Sequence, residues 1–341
     1  MNNKINQKKK IFIGIEFLRI YLSILVVNTH RYKLPKNSKF LISKLLRNNL
    51  HVPLFYIISF FFFQNTLLSR NLNKFKQRFQ RLLIPYIFWP VIIWSINNII
   101  FLVFKINFNN SFYDLKNQLL TGHCFNTVFW FQWNLIFETF FFIIIELVFH
   151  KYIINILIYI GFTAYYFQYS GYNYNIFIHF DFNLKYTLGR FAEVIPYSIS
   201  GFYLSYFKLV DCFKKNIINT IFICLLVLIL FSNYNFIIYP KGFGYQGFKS
   251  QILSFFLFII FCIISKNFVG KNIFKIIIQI SKFTPGIYYL HIPIMNYFKN
   301  FFLFIKNKQL QGAMLIYFFC YIICIIGSFI FRKTKLIKLF Q

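Results

Sequence analysis

Two short stretches carry residues that could do chemistry together. Glu16 and Arg19 stand three positions apart, so on a helix they share a face and can pair. Arg19 and His30 stand eleven apart, close to three helical turns, which puts both on one face about 16 Å apart along the axis. A histidine titrates near neutrality and can take or give a proton, and an arginine can steady a developing negative charge. Taken singly, Arg19 reads as an inner-interface anchor and His30 as an outer-interface residue. Further on, Arg78 and Arg81 close a strongly basic stretch that begins at Arg70. Paired guanidiniums suit a phosphate-bearing ligand, because each can donate two parallel hydrogen bonds to phosphate oxygens. The plainer reading of 70–81 is a loop that sets topology.

These residues have to be positioned by something, and the composition says what. Of 341 residues, 58% are hydrophobic and only 13% are charged, too few charges to cover a water-facing surface. The mean hydropathy is +0.59. Most of the surface must therefore face lipid, and the fold class is all-α, a polytopic integral membrane protein. Apolar runs of spanning length fall at roughly 11–29, 51–68, 83–104, 126–148, 152–170, 187–207, 217–238, 250–265, 273–298 and 312–331, giving about ten transmembrane helices. The short run 250–265 also fits a re-entrant segment. No composition shift marks a second domain, so residues 1–341 read as a single transmembrane domain with no appended soluble one.

The net charge is +30, from 37 Lys and Arg against 7 Asp and Glu. The basic residues sit mainly between apolar runs, where they flank a membrane and meet anionic lipid head groups. That placement argues against a nucleic-acid partner. Both termini fall on the more basic side, so they are expected in the cytoplasm of a multi-pass protein of the inner or plasma membrane. The basic stretch MNNKINQKKK precedes a first helix with no small-residue cleavage site, which reads as a retained helix. Six cysteines lie mostly within apolar runs, and Cys320 and Cys324, one helical turn apart, have no histidine or carboxylate company; they read as core thiols, and no metal site is expected.

Charges inside apolar spans are costly and turn toward protein or water-lined interiors. Besides Glu16, Arg19 and His30, the residues in question are Glu138, Glu146, Arg190, Glu193 and His291. Glu146 and His150, four apart, explain each other as a local pair. Glu138 lies mid-run and needs a partner if ionised. His291 reads most simply as a packed histidine bonded to a neighbouring helix.

In order along the chain, these pieces resemble membrane acyltransferase family 3, which includes bacterial O-acetyltransferases of surface polysaccharides. Glu16-Phe17-Leu18-Arg19 followed by His30 is similar to the family's acidic-x-x-Arg and Arg-x10-His signature. Val52-Pro53-Leu54-Phe55 leading to Ser59 resembles its second-helix segment. Arg78-Phe79-Gln80-Arg81 followed by Leu83-Ile84-Pro85-Tyr86 resembles its Arg-x-x-Arg and Leu-Ile-Pro-Tyr. Trp133-Asn134-Leu135-Ile136-Phe137-Glu138 and Ile287-Tyr288-Tyr289-Leu290-His291 look like its later motifs. Two positions depart: Phe60 stands where a glycine usually follows the serine, and Asn134 where a serine is usual. Phe60 speaks against close backbone packing beside Ser59.

The resemblance implies transfer of an acyl group, most often acetyl from acetyl-CoA, to a hydroxyl of a glycan or lipid-linked sugar. It implies His30 as the catalytic histidine with Arg19 as companion, Arg78 and Arg81 on the CoA side, and Glu138 as a supporting residue, with Glu16 and His291 as further candidates. Whether His30 would act as a base or carry the acyl group is open. The main alternative is a transporter or flippase for a glycan-related substrate, using the same charges along its path; it calls for paired repeats, which the sequence lacks. A non-catalytic scaffold leaves the ordered charges unexplained.

Overall fold

The structure, a computed structural model, describes residues 12–31, 50–105, 112–122, 129–170, 182–233, 248–263, 271–297 and 309–330. Among them the regular structure is helical throughout. In chain order the helices are α1 (Ile13–Arg31), α2 (His51–Leu68), α3 (Leu72–Phe104), α4 (Phe112–Thr121), α5 (Phe129–Phe149), α6 (Ile153–Ser170), α7 (Phe182–Tyr206), α8 (Leu209–Lys215), α9 (Ile217–Asn233), α10 (Phe248–Ile263), α11 (Lys271–Ser281), α12 (Thr284–Tyr297) and α13 (Gln309–Ile330).

Three stretches among the described residues are long and apolar enough to cross a membrane: His51–Leu68, Leu72–Val103 and Phe129–Ala164. A bent pair, Leu209–Lys215 with Ile217–Leu230, adds a fourth if taken as one span, and shorter apolar helices fill out the bundle. The third stretch turns back on itself at a 3₁₀ turn, His150–Tyr152. Trp130 lies against Arg190 and Phe142 against Phe202, so α5 and α7 run in the same direction. Tyr203 donates to the carbonyl of Ile154 while Gly161 faces Ile199, so α6 runs the opposite way.

The helix starts mostly follow the apolar runs, with two corrections. The basic stretch before residue 83 is not a loop: α3 begins at Leu72, and Asn71 caps it by accepting from the Lys74 amide at 3.1 Å. Lysine, arginine and glutamine are good helix formers, and asparagine is a favoured cap. The run 273–298 is not one helix but two, α11 and α12, separated by a turn at Lys282 and Phe283. Pro285 cannot continue α11, because it lacks an N–H and its ring clashes with the preceding turn. It is tolerated in the first turn of α12, where the Thr284 hydroxyl donates back to the Ser281 carbonyl at 2.7 Å.

α2 is apolar all round, and such a helix belongs in the interior. It packs on α1, α5, α7 and α10, most extensively on α7. There the backbones nearly touch: a Cβ on Gly201 would stand 2.3 Å from the Ile57 carbonyl oxygen. The close approach of α2 therefore exists despite Phe60, and a glycine on the facing helix provides it. α1 is enclosed by α2 on one side and by α10, α11, α12 and α13 on the other. α9 instead turns Ile218, Phe222, Ile223 and Leu230 outward, as a lipid-facing helix does.

Candidate functional site

The bundle has two ends. Phe12 at the start of α1 meets Phe61 and Phe62 near the end of α2, and Lys214 of α8 lies 5.0 Å from the Phe12 ring. The α2–α3 turn joins them: Arg70 takes a left-handed conformation (φ 49°), and its guanidinium donates at 3.1 Å to Glu146 near the end of α5. His150 meets the same Glu146 oxygen at 2.5 Å, the local pair that their spacing predicts. Glu146 is buried while both its partners are largely exposed, so it fastens a basic, water-facing end.

Arg19 lies toward this end. It donates to both carboxylate oxygens of Glu16, at 3.2 and 3.3 Å, as the three-residue spacing predicts, and its guanidinium stands 5.8 Å from the Phe62 ring. Arg19 is 37% exposed at the side chain, so this pair contributes little to stability. His30 sits in the last turn of α1, toward the opposite end; its side chain lies outside the described residues. The turn before it carries Val27, buried with Tyr86, Trp89, Phe129, Ile287 and Tyr289. Arg19 and His30 thus bracket the mostly buried stretch 22–27 of one helix.

His291 of α12 belongs to the same half as His30. α12 runs alongside α3, with Trp89 stacked on Tyr289 and the Tyr297 hydroxyl donating to Asn97 at 2.6 Å. His291 is fully buried, and its Nδ1 is 2.7 Å from the Tyr288 carbonyl oxygen on its own helix.

The densest polar contacts lie between α2, α3, α5 and α7. Arg78 turns inward from the second turn of α3. Its Nη2 donates to the Ser59 hydroxyl at 2.9 Å, its Nη1 reaches the Ser59 carbonyl at 3.5 Å, and its Nε donates to the Thr139 hydroxyl at 3.1 Å. The guanidinium lies 4.0 Å from the centre of the Phe63 ring, a cation–π contact. Thr139 is oriented for this, since its own hydroxyl donates to the Leu135 carbonyl at 2.7 Å and leaves a lone pair toward Arg78.

Glu138, next to Thr139, is completely buried and accepts a hydrogen bond from the Ser198 hydroxyl of α7. Its other oxygen has no hydrogen-bond partner among the described residues, and neither has the amide of Asn134 one turn earlier. Both side chains thus present unused hydrogen-bonding capacity to the seam between α5, α7 and α2. Arg78 reaches Thr139, the next residue, and so stands beside Glu138 with no hydrogen bond between the two. Farther along the seam, Arg190 pairs with Glu193 at 2.9 Å and lies 5.1 Å from the Trp130 ring.

Of the residues singled out by sequence, the structure joins Glu16 with Arg19 and brings Arg78 beside Glu138. It does not join Arg78 with Arg81: Arg81 is exposed one turn farther along α3 and has no partner among the described residues. Thr139 and Ser198 belong to the site but carry no sequence signal beyond this: a partly buried arginine and a fully buried glutamate each require a hydrogen-bonding neighbour. Cys224, Cys262, Cys320 and Cys324 are buried thiols within helices.

Comparison with protein families matches residues 12–333 to the model of an acyltransferase domain, that of acyltransferase family 3. Comparisons with curated proteins and with solved structures found no match.

Proposed function

The chain belongs to acyltransferase family 3 and is a membrane acyltransferase, and from that premise we propose that it moves an acetyl group from acetyl-CoA to a hydroxyl of a cell-envelope glycan or lipid-linked sugar. The observation that carries the reading is the family match across nearly the whole chain, with the motif residues Arg78, Ser59 and Glu138 gathered around one seam. In the reaction, the acceptor hydroxyl oxygen attacks the thioester carbonyl carbon. His30 takes the hydroxyl proton, the C–S bond breaks, and the CoA sulfur leaves and is reprotonated. Arg19 lies on the same helix face as His30 and supplies positive charge for the anionic donor. The donor's phosphates approach from the basic end, where the first turns of α3 expose Lys74, Lys76 and Arg81. The acceptor approaches from the end that carries His30. The basic end faces the cytoplasm in this reading, as the positive-inside rule requires, and the membrane is the inner or plasma membrane.

The test is release of free CoA from acetyl-CoA by protein in liposomes, wild type against His30→Ala, with envelope glycans supplied. Release that depends on His30 in a variant that still folds supports the reading. Absence of release from the wild type with acetyl-CoA and longer acyl-CoAs overturns the acyl-CoA donor.

A further inference from the structure

The motif pair Arg78 and Arg81 looks symmetrical in sequence and is not so in space. Arg78 is occupied: Ser59 and Thr139 take three of its hydrogen bonds, and Phe63 covers its guanidinium face. A phosphate at Arg78 would compete with two hydroxyls and a backbone carbonyl for its N–H groups. Arg81 has none of these ties and stands exposed. The geometry around Arg78 also requires a fork. Its Nε points to α5 and its Nη2 to α2, so two helices are held from one planar group, which a point-like ammonium cannot reproduce. Thr139 adjoins Glu138, and whatever fixes Thr139 fixes the helical face on which Glu138 and Asn134 stand.

We infer that the two arginines divide the work: Arg78 is a positioning residue that ties Ser59 of α2 to Thr139 of α5, and Arg81 is the cation that receives the acyl donor's phosphates. The role of Arg81 rests on the acyl-CoA reading above; the tie made by Arg78 does not.

Lysine separates the two roles, because it keeps the charge and loses the fork. Arg81→Lys keeps the charge and raises the KM for acetyl-CoA less than Arg81→Ala does, and Arg81→Ala raises it about tenfold and weakens its dependence on salt, the loss falling on KM rather than on kcat. Arg78→Lys and Thr139→Val instead lower kcat about tenfold with the KM for acetyl-CoA held. Thermal unfolding in detergent supplies a readout independent of activity. The double variant Arg78→Lys/Thr139→Val loses less melting temperature than the two single losses added, whereas Arg81→Ala and Thr139→Val add. A rise in donor KM with unchanged kcat for Arg78→Lys would make Arg78 a phosphate ligand and overturn the inference, as would simple additivity of Arg78→Lys with Thr139→Val. An unchanged KM for Arg81→Ala overturns the role given to Arg81. If the wild type turns over no acyl-CoA, the acyl-donor reading and the role of Arg81 fall together, and the unfolding cycle still decides the tie.

Discussion

Ser198 and Glu138, sixty positions apart in the chain, meet inside the bundle by a hydrogen bond from the serine hydroxyl to a carboxylate oxygen. Both residues are fully buried, so the bond joins α7 to α5 where water cannot replace it. Ser198→Ala leaves the carboxyl with one neighbour fewer and is expected to lower stability by about 1–3 kcal/mol. Thermal unfolding in detergent reads the loss. A variant that melts with the wild type would show that Glu138 is held by other means.

The α2–α7 contact makes a sharper demand. Gly201→Ala places a methyl group 2.3 Å from a backbone oxygen that has no freedom to rotate away, so the two helices must separate. A loss of about 1–3 kcal/mol is expected, with reduced yield of folded protein. Gly161→Ala serves as the control, because its nearest neighbour is the flexible end of Ile199 at 3.4 Å, and it should be tolerated.

The ion pairs should rank by burial. Arg190 and Glu193 are 5% and 0% exposed, so Arg190→Ala removes the guanidinium from a buried ion pair and is expected to cost about 3–5 kcal/mol. Arg19→Ala removes a half-exposed partner from Glu16 and should cost less than about 1 kcal/mol. A large stability loss at Arg19, measured by unfolding, would contradict the exposure of that pair. A large loss of activity there without a stability loss fits its proposed role.

Orientation can be read from a thiol. Cys212 of α8 is exposed at the basic end, while Cys224, Cys262, Cys320 and Cys324 are buried. In a Cys124→Ala background, a membrane-impermeant maleimide should label Cys212 in inverted vesicles and spare it in intact cells. Labelling in intact cells would place the basic end outside and reverse the proposed path of donor and acceptor.

Much of this architecture is legible in the sequence, for reasons that differ by residue. Helix α2 is apparent because residues 52–63 are apolar but for Ser59, a run with few other solutions. The Glu16–Arg19 and Glu146–His150 pairs are apparent because both members lie on one helix at fixed spacing. The start of α3 is obscured by charge: residues Lys74 to Arg81 look like a loop to a hydropathy pattern, although their helix propensity is high. The break before α12 is hidden inside an apolar run, and only Pro285 marks it. Thr139 and Ser198 could not be chosen from the sequence, because a hydroxyl becomes significant only when the fold puts a buried charge beside it. The same holds for the unequal fates of Arg78 and Arg81, which depend on what α2 and α5 present to each side of α3.

The surroundings of α1 bear on how the protein is made. This helix emerges from the ribosome early, yet most of its wall consists of α10 to α13, from the last third of the chain. At ordinary rates of synthesis the stretch between Arg31 and Phe248 takes on the order of ten to forty seconds to appear. Through that wait α1 lacks most of its neighbours while it carries a glutamate and an arginine. Their pairing closes within a single turn of the helix and needs no later segment. The newborn helix therefore brings its own counter-ion, and the Arg19 charge is paired before the helices around it exist.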